Sequence, residues 1–153
     1  MSKPFRYQKL YMDIAGRVSD MSHARRLQVG AVIVKDDRII SMGFNGMPSG
    51  WDNNCEDTVV EEHDEKFVTV LRTKPEVLHA ESNALAKLAR STESGDGADI
   101  FITHAPCLDC AKMIYQTGIR RVFYRNSYRS DDGLQFLKQS GVDVKNIASD
   151  DNS

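Results

Sequence analysis

An α/β fold, with helices layered on both faces of a sheet, is predicted by three features of the 153-residue chain. The first twenty residues carry apolar side chains at helical spacing, and two β-branched runs joined by a short polar link come next. From His79 to the end, helical and extended patterns alternate. Such alternation implies crossover connections, and so a mostly parallel region appended to an antiparallel pair.

In the first segment Phe5, Leu10, Tyr11, Ile14, Ala15 and Val18 form the apolar stripe of an amphipathic helix, with Pro4 in its first turn. The runs "QVGAVIV" and "RIISMGF" are separated by "KDD" and read as a hairpin. "NGMPSGWDNN" is dense in Gly, Asn and Pro and reads as a loop. The charged stretch from Cys55 to Lys74 is expected to be a long excursion holding a short helix, and excursions of that length tend to be functional. A helix beginning at His79 has Ala84, Leu85, Leu88 and Ala89 as its stripe and ends before "STESGDG". A strand is expected at Ala98 to Thr103, then a helix at Cys107 to Thr117 with Ala111, Ile114 and Tyr115 inward. "RRVFYR" is a strand, Asp131 to Ser140 a helix, and "VDVKNI" the last strand. A single domain is expected over residues 1–148, with "SDDNS" contributing a polar tail at 149–153.

Charge and composition narrow the function. With 20 Lys+Arg against 22 Asp+Glu the net charge is -2, so no basic field exists to hold a nucleic-acid backbone, and a small-molecule substrate is favoured. The apolar runs fall far short of the roughly 20 residues of a membrane span, and the first residues lack a signal-peptide core. A soluble, cytoplasmic protein without membrane or nucleic-acid partners is the expectation. Its three cysteines then read as thiols or metal ligands rather than a disulfide framework.

Cys107 and Cys110 in "PCLDC" stand one helical turn apart at a helix start, where unpaired N–H groups and the helix dipole favour thiolates. A redox pair or half of a structural zinc knot would fit these two residues alone. "HAES" places His79 and Glu81 at the preceding helix start, and parallel topology brings consecutive helix starts to one edge of the sheet. One His and two Cys give three protein ligands, the number that leaves a catalytic zinc an open position for water. Glu81 would then lie near that water as a proton carrier. H-x-E followed by P-C-x-x-C is also the zinc deaminase signature.

The blocks "RRLQVGAVIV", "GFNGMPSG", "HAESNALAKLAR", "THAPCLDCAKMI" and "GIRRVFYRNSY", in that order and over nearly the whole chain, resemble the cytidine and deoxycytidylate deaminase superfamily, and within it the deoxycytidylate (dCMP) deaminases. The resemblance implies a three-layer α/β/α fold around a mixed five-stranded sheet. It also implies zinc on His79, Cys107 and Cys110, Glu81 as the catalytic acid–base, and conversion of dCMP to dUMP. Relatives are commonly hexamers, activated by dCTP and inhibited by dTTP, so a homo-oligomer with these effectors is expected.

In the family's pattern Asn45 holds the sugar 3′-hydroxyl, although Asn-Gly is also an ordinary turn signal. Ala80 and Tyr128 fall at the substrate. Arg26 is the candidate for the 5′-phosphate, with Arg25, Arg120 or Tyr128 as alternatives. "GMPSGWDNNCED" resembles the segment that contacts an effector triphosphate with bridging Mg²⁺, which makes Gly46, Gly50, Asn54 and Glu56 regulatory candidates. Arg90 matches an arginine implicated in subunit contact. Cys55 and His63 could suggest a second metal, but Ala24 stands where many relatives carry a cysteine, so Cys55 reads as a free thiol.

Three rivals remain. tRNA adenosine deaminases share the zinc motifs but carry a basic face and lack G-x-N-G-x-P-x-G. Free-nucleoside cytidine deaminases carry C-A-E where this chain has H-A-E. A non-enzymatic zinc module would need His104 or Cys55 to close the site.

Overall fold

The structure is a computed structural model that describes residues 3–148, so the expected polar tail at 149–153 lies outside the described residues. Its elements run α1 (Lys3–Ser19), β1 (Gly30–Lys35), β2 (Arg38–Phe44), β3 (Glu56–His63), β4 (Lys66–Thr73), α2 (Ala80–Ala89), β5 (Asp99–His104), α3 (Leu108–Gln116), β6 (Arg121–Asn126), α4 (Asp132–Gln139) and β7 (Asp143–Asn146). Five strands form one mixed sheet in the order β2-β1-β5-β6-β7. β1 pairs antiparallel with both β2 and β5, whereas β5, β6 and β7 are parallel.

Side chains of the central strands alternate between two cores, as a period of two requires. Ala31, Ile33, Ile100, Ile102 and Val122 face α2, α3 and α4, where they pack on Ala84, Leu88, Ala111, Ile114 and Leu137. Val32, Val34, Phe101 and Phe123 face α1 and pack on Tyr11, Met12, Ala15 and Val18. Phe101 and Phe123 stack at 4.5 Å on that side. The result is the expected three-layer α/β/α arrangement.

Two glycines let the layers approach where the site is built. A Cβ on Gly43 of β2 would lie 2.5 Å from the Ala80 carbonyl oxygen and 2.6 Å from the Ala84 amide nitrogen, so α2 could not lie on that strand. A Cβ on Gly133 would collide with the carbonyl oxygen of Pro106, just ahead of α3.

Several expectations are corrected. Residues 56–73 hold no helix; they form a second hairpin, β3–β4, with eight residues in each strand. Its turn residues Asp64 and Glu65 adopt φ values of 51° and 64°, matching Asp36 and Asp37 (51° and 59°) in the predicted first hairpin. Among the described residues no other strand pairs with β3–β4. Its side chains therefore lack the sharp polar–apolar alternation of a half-buried strand, and Phe67 and Val60 remain 77% and 65% exposed. Tyr115 is exposed rather than inward, its ring edge-on to Phe136 at 5.9 Å, because Ala111 and Ile114 occupy the buried stripe of α3. Leu10 and Ala89 likewise lie outside their helices' buried faces, and Met12 takes a core position in α1.

Candidate active site

Two helix starts meet at the sheet edge. His79 is the N-cap residue of α2 and has extended backbone angles (φ -76°, ψ 155°). The preceding residue is pinned by paired backbone bonds, Gly46 N–H to Leu78 O (3.0 Å) and Leu78 N–H to Gly46 O (2.8 Å), which fix where α2 begins. Cys107 is the N-cap residue of α3 (φ -69°, ψ 168°) and follows β5, while Cys110 lies in the first turn of that helix. Cys110 is buried.

The ligand atoms converge. His79 Nδ1 lies 3.3 Å from Cys110 Sγ and 3.6 Å from Cys107 Sγ, and all three atoms fall within 4.8 Å of one another. A tetrahedral zinc with usual Zn–N and Zn–S bonds separates neighbouring N and S ligands by about 3.6 Å. The donor set and its spacing therefore fit zinc. Among the described residues this is the one group of three or more His, Cys, Asp or Glu side chains so placed.

The three groups share their protons unevenly. Hydrogen bonds from Cys110 and His79 draw the Cys107 thiol down to about 4, the thiolate that a metal requires. Cys110, donating to that thiolate and buried, is pushed up. The hydrogen bond to Cys107 raises His79. Glu81, in the first turn of α2, is 4% exposed, and burial pushes its carboxyl up to about 7. Such a group can hold or release a proton near neutrality.

A cleft of about 350 Å³ opens over these groups. Its lining includes Asn45, Ala80, Glu81 and His104, together with Arg26, Tyr128 and Arg129. Asn45 is held firmly: its Oδ1 accepts from Val29 N–H (2.9 Å) and its Nδ2 donates to Leu27 O (2.8 Å). One lone pair and one amide hydrogen remain for a ligand. Thr103 Oγ1 accepts from Gly30 N–H (3.1 Å) and lies 3.0 Å from His104 Nδ1. Burial, with Arg125 nearby, holds the His104 imidazole below its ordinary range. His104 thus lines the cleft but does not join the ligand cluster.

The regulatory candidates lie elsewhere. Gly46 belongs to the bridge before His79, and Gly50, with φ +88°, sits in the loop ahead of β3. Asn54 Oδ1 accepts from Arg25 Nη2 (3.0 Å) and Glu56 N–H (3.3 Å). Glu56 is 2% exposed, and its carboxylate turns inward to accept from the backbone N–H groups of Arg25 (2.9 Å) and Arg26 (3.0 Å). It thereby fastens the base of the hairpin to the segment carrying Arg26. Arg90 caps the far end of α2 and is exposed. Cys55 is buried against Ala24 and Val77, whereas His63 is exposed and bonds Glu61 (2.9 Å). The two are not brought together as metal ligands.

Arg129 and Thr73 are among the cleft residues that the sequence did not single out. Arg129 lies two residues beyond the β6 carboxyl-end loop start at Ser127, in the region where α/β sites form, and its guanidinium sits 5.6 Å from the Tyr128 ring centroid. Position was therefore a usable signal for Arg129. Thr73 carried none, because its strand was not recognised.

Residues 6–126 match the family described as the cytidine and deoxycytidylate deaminase zinc-binding region. A dCMP deaminase from the cyanophage S-TIM5, solved in complex with dCMP and dUMP, is 44% identical with a TM-score of 0.80; the match covers 96% of this chain and 99% of that one. The deoxycytidylate deaminase of Enterobacteria phage T4 is 33% identical over 168 residues, covering 89% of this chain and 87% of that protein. ComE operon protein 2 of Bacillus subtilis is 37% identical over 131 residues, covering 82% of this chain but only 63% of its own length. With its ligand set, its buried glutamate and matches of this extent, the chain belongs to the cytidine and deoxycytidylate deaminase family.

Proposed function

We propose that the protein hydrolyses dCMP to dUMP and ammonia, supplying dUMP for thymidylate synthesis. The observation that carries this reading is a buried glutamate beside three converging zinc-type ligands, in a cleft whose lining includes two arginines. Zinc, when bound by His79, Cys107 and Cys110, supplies a water of lowered pKa. Glu81 accepts a proton from the water that adds to C4 of cytosine and delivers it to N3. It then carries the second water proton to the amino group, so that the C4–N4 bond breaks and ammonia leaves. Asn45, locked by Leu27 and Val29, offers its remaining polar capacity to the sugar. Arg26, Tyr128 and Arg129 face the 5′-phosphate, where arginine's fork of donors suits a phosphate. Incubation of the zinc-loaded protein with dCMP should yield dUMP and ammonia in equal amounts, and no ammonia would end the proposal.

The resemblance also supports a cytoplasmic homo-oligomer, a hexamer, activated by dCTP with Mg²⁺ and inhibited by dTTP. Gly46, Gly50, Asn54, Glu56 and Arg90 are the proposed regulatory residues, with the Glu56 carboxylate also accepting from the backbone N–H groups of Arg25 and Arg26. Among the described residues no helix is long and apolar enough to cross a membrane. An allosteric coupling of roughly 1 to 3 kcal/mol predicts that dCTP lowers the apparent KM for dCMP by about 5- to 150-fold. A monomer by light scattering whose dCMP curve ignores both triphosphates would remove regulation and leave the chemistry standing.

A further inference from the structure

The cleft over the metal ligands does not end at Arg26 and Arg129. A second hollow of about 500 Å³ shares Arg26, Thr73 and Arg129 with it and continues along the β3–β4 hairpin, past Glu61 and Arg72. Three arginines face one carboxylate there, a balance of +2 among the charged side chains of its wall. Neither Arg26 nor Arg129 has an ion-pair partner among the described residues. Arg72 Nη2 donates to Glu61 Oε1 at 2.9 Å, and Glu61 Oε2 lies 2.9 Å from His63 Nε2. The Arg72 side chain is 64% exposed, so its pairing with Glu61 is of the weak, exchangeable kind.

From this continuity we infer that the hollow is a subsite for phosphate groups beyond the first, so that the substrate site also accepts nucleoside 5′-di- and triphosphates. The inference rests on the proposed placement of the 5′-phosphate at Arg26 and Arg129. A chain of phosphates leaving that point along the hollow reaches Arg72, whose five donors can exchange the carboxylate of Glu61 for phosphate oxygens. Glu61 opposes this by neutralising Arg72 and repelling a polyanion. The subsite is distinct from the loop carrying Gly46, Gly50 and Asn54, since none of those residues lines it.

Calorimetric titration of the zinc-loaded chain with dUMP, dUDP and dUTP, without added magnesium, tests the assignment in the absence of turnover. The expected result is that dUTP binds about tenfold or more tightly than dUMP and displaces it. Arg72→Gln should bring dUTP back to the affinity of dUMP and leave dUMP within twofold. Glu61→Gln should act in the opposite direction and tighten dUTP further. The subsite is refuted if dUTP binds no more tightly than dUMP, binds without displacing it, or loses no more than dUMP does in Arg72→Gln. Arg129→Gln separates the two layers of the argument. Weakened dUMP binding in that variant keeps the 5′-phosphate placement whatever dUTP does, whereas unchanged dUMP binding overturns the placement and the subsite with it.

Discussion

Glu81→Gln should retain one zinc per chain and still bind dCMP, yet lose nearly all turnover. The amide keeps the shape of the side chain, so the buried position in α2 stays filled. It cannot take a proton from water or pass one on. General acid–base groups contribute about 10² to 10⁴ in rate, and here one carboxyl serves several transfers in sequence, so the loss should lie at or beyond the upper end. The measurement is single-turnover ammonia release beside metal analysis, and activity within tenfold of the parent would remove Glu81 from the chemistry.

Cys110→Ser should lose the metal itself. Its sulfur is buried and stands 3.3 Å from His79 Nδ1, whereas a serine hydroxyl keeps its proton near neutrality and is a poor zinc ligand. Zinc content should fall well below one per chain, and turnover should fall to background. Because metal that binds only the folded chain adds to its stability, the melting temperature should fall too, and excess zinc should no longer raise it. Full zinc and full turnover in this variant would contradict the ligand assignment.

Much of the fold was legible in the sequence because its central strands are buried on both faces. "GAVIVK" and "DIFITH" read as strands since nothing in them competes with burial, and the helices between them carry clear stripes. The β3–β4 hairpin was missed for the opposite reason. Among the described residues it pairs with no other strand, so no buried face imposes a period of two, and Asp64–Glu65 is a weaker turn signal than Asn-Gly. The candidate metal ligands and Glu81 were legible because their spacing is local: Cys107 and Cys110 lie within one turn, and His79 and Glu81 within another. Arg129, Thr73 and the inward carboxylate of Glu56 depend on long-range packing. Glu56 reaches Arg25 and Arg26 across thirty residues of chain, and no short motif encodes that bond.

The most direct test of the proposed activity is the ratio of kcat/KM for dCMP to that for deoxycytidine, measured by ammonia release on the zinc-loaded protein. The two share base and sugar and differ only in the phosphate that Arg26 and Arg129 are proposed to hold. Charge-assisted hydrogen bonds contribute roughly 1.5 to 3 kcal/mol each, so two should favour dCMP by at least about a hundredfold. Equal or greater efficiency with deoxycytidine, or turnover of neither, would contradict a dCMP deaminase.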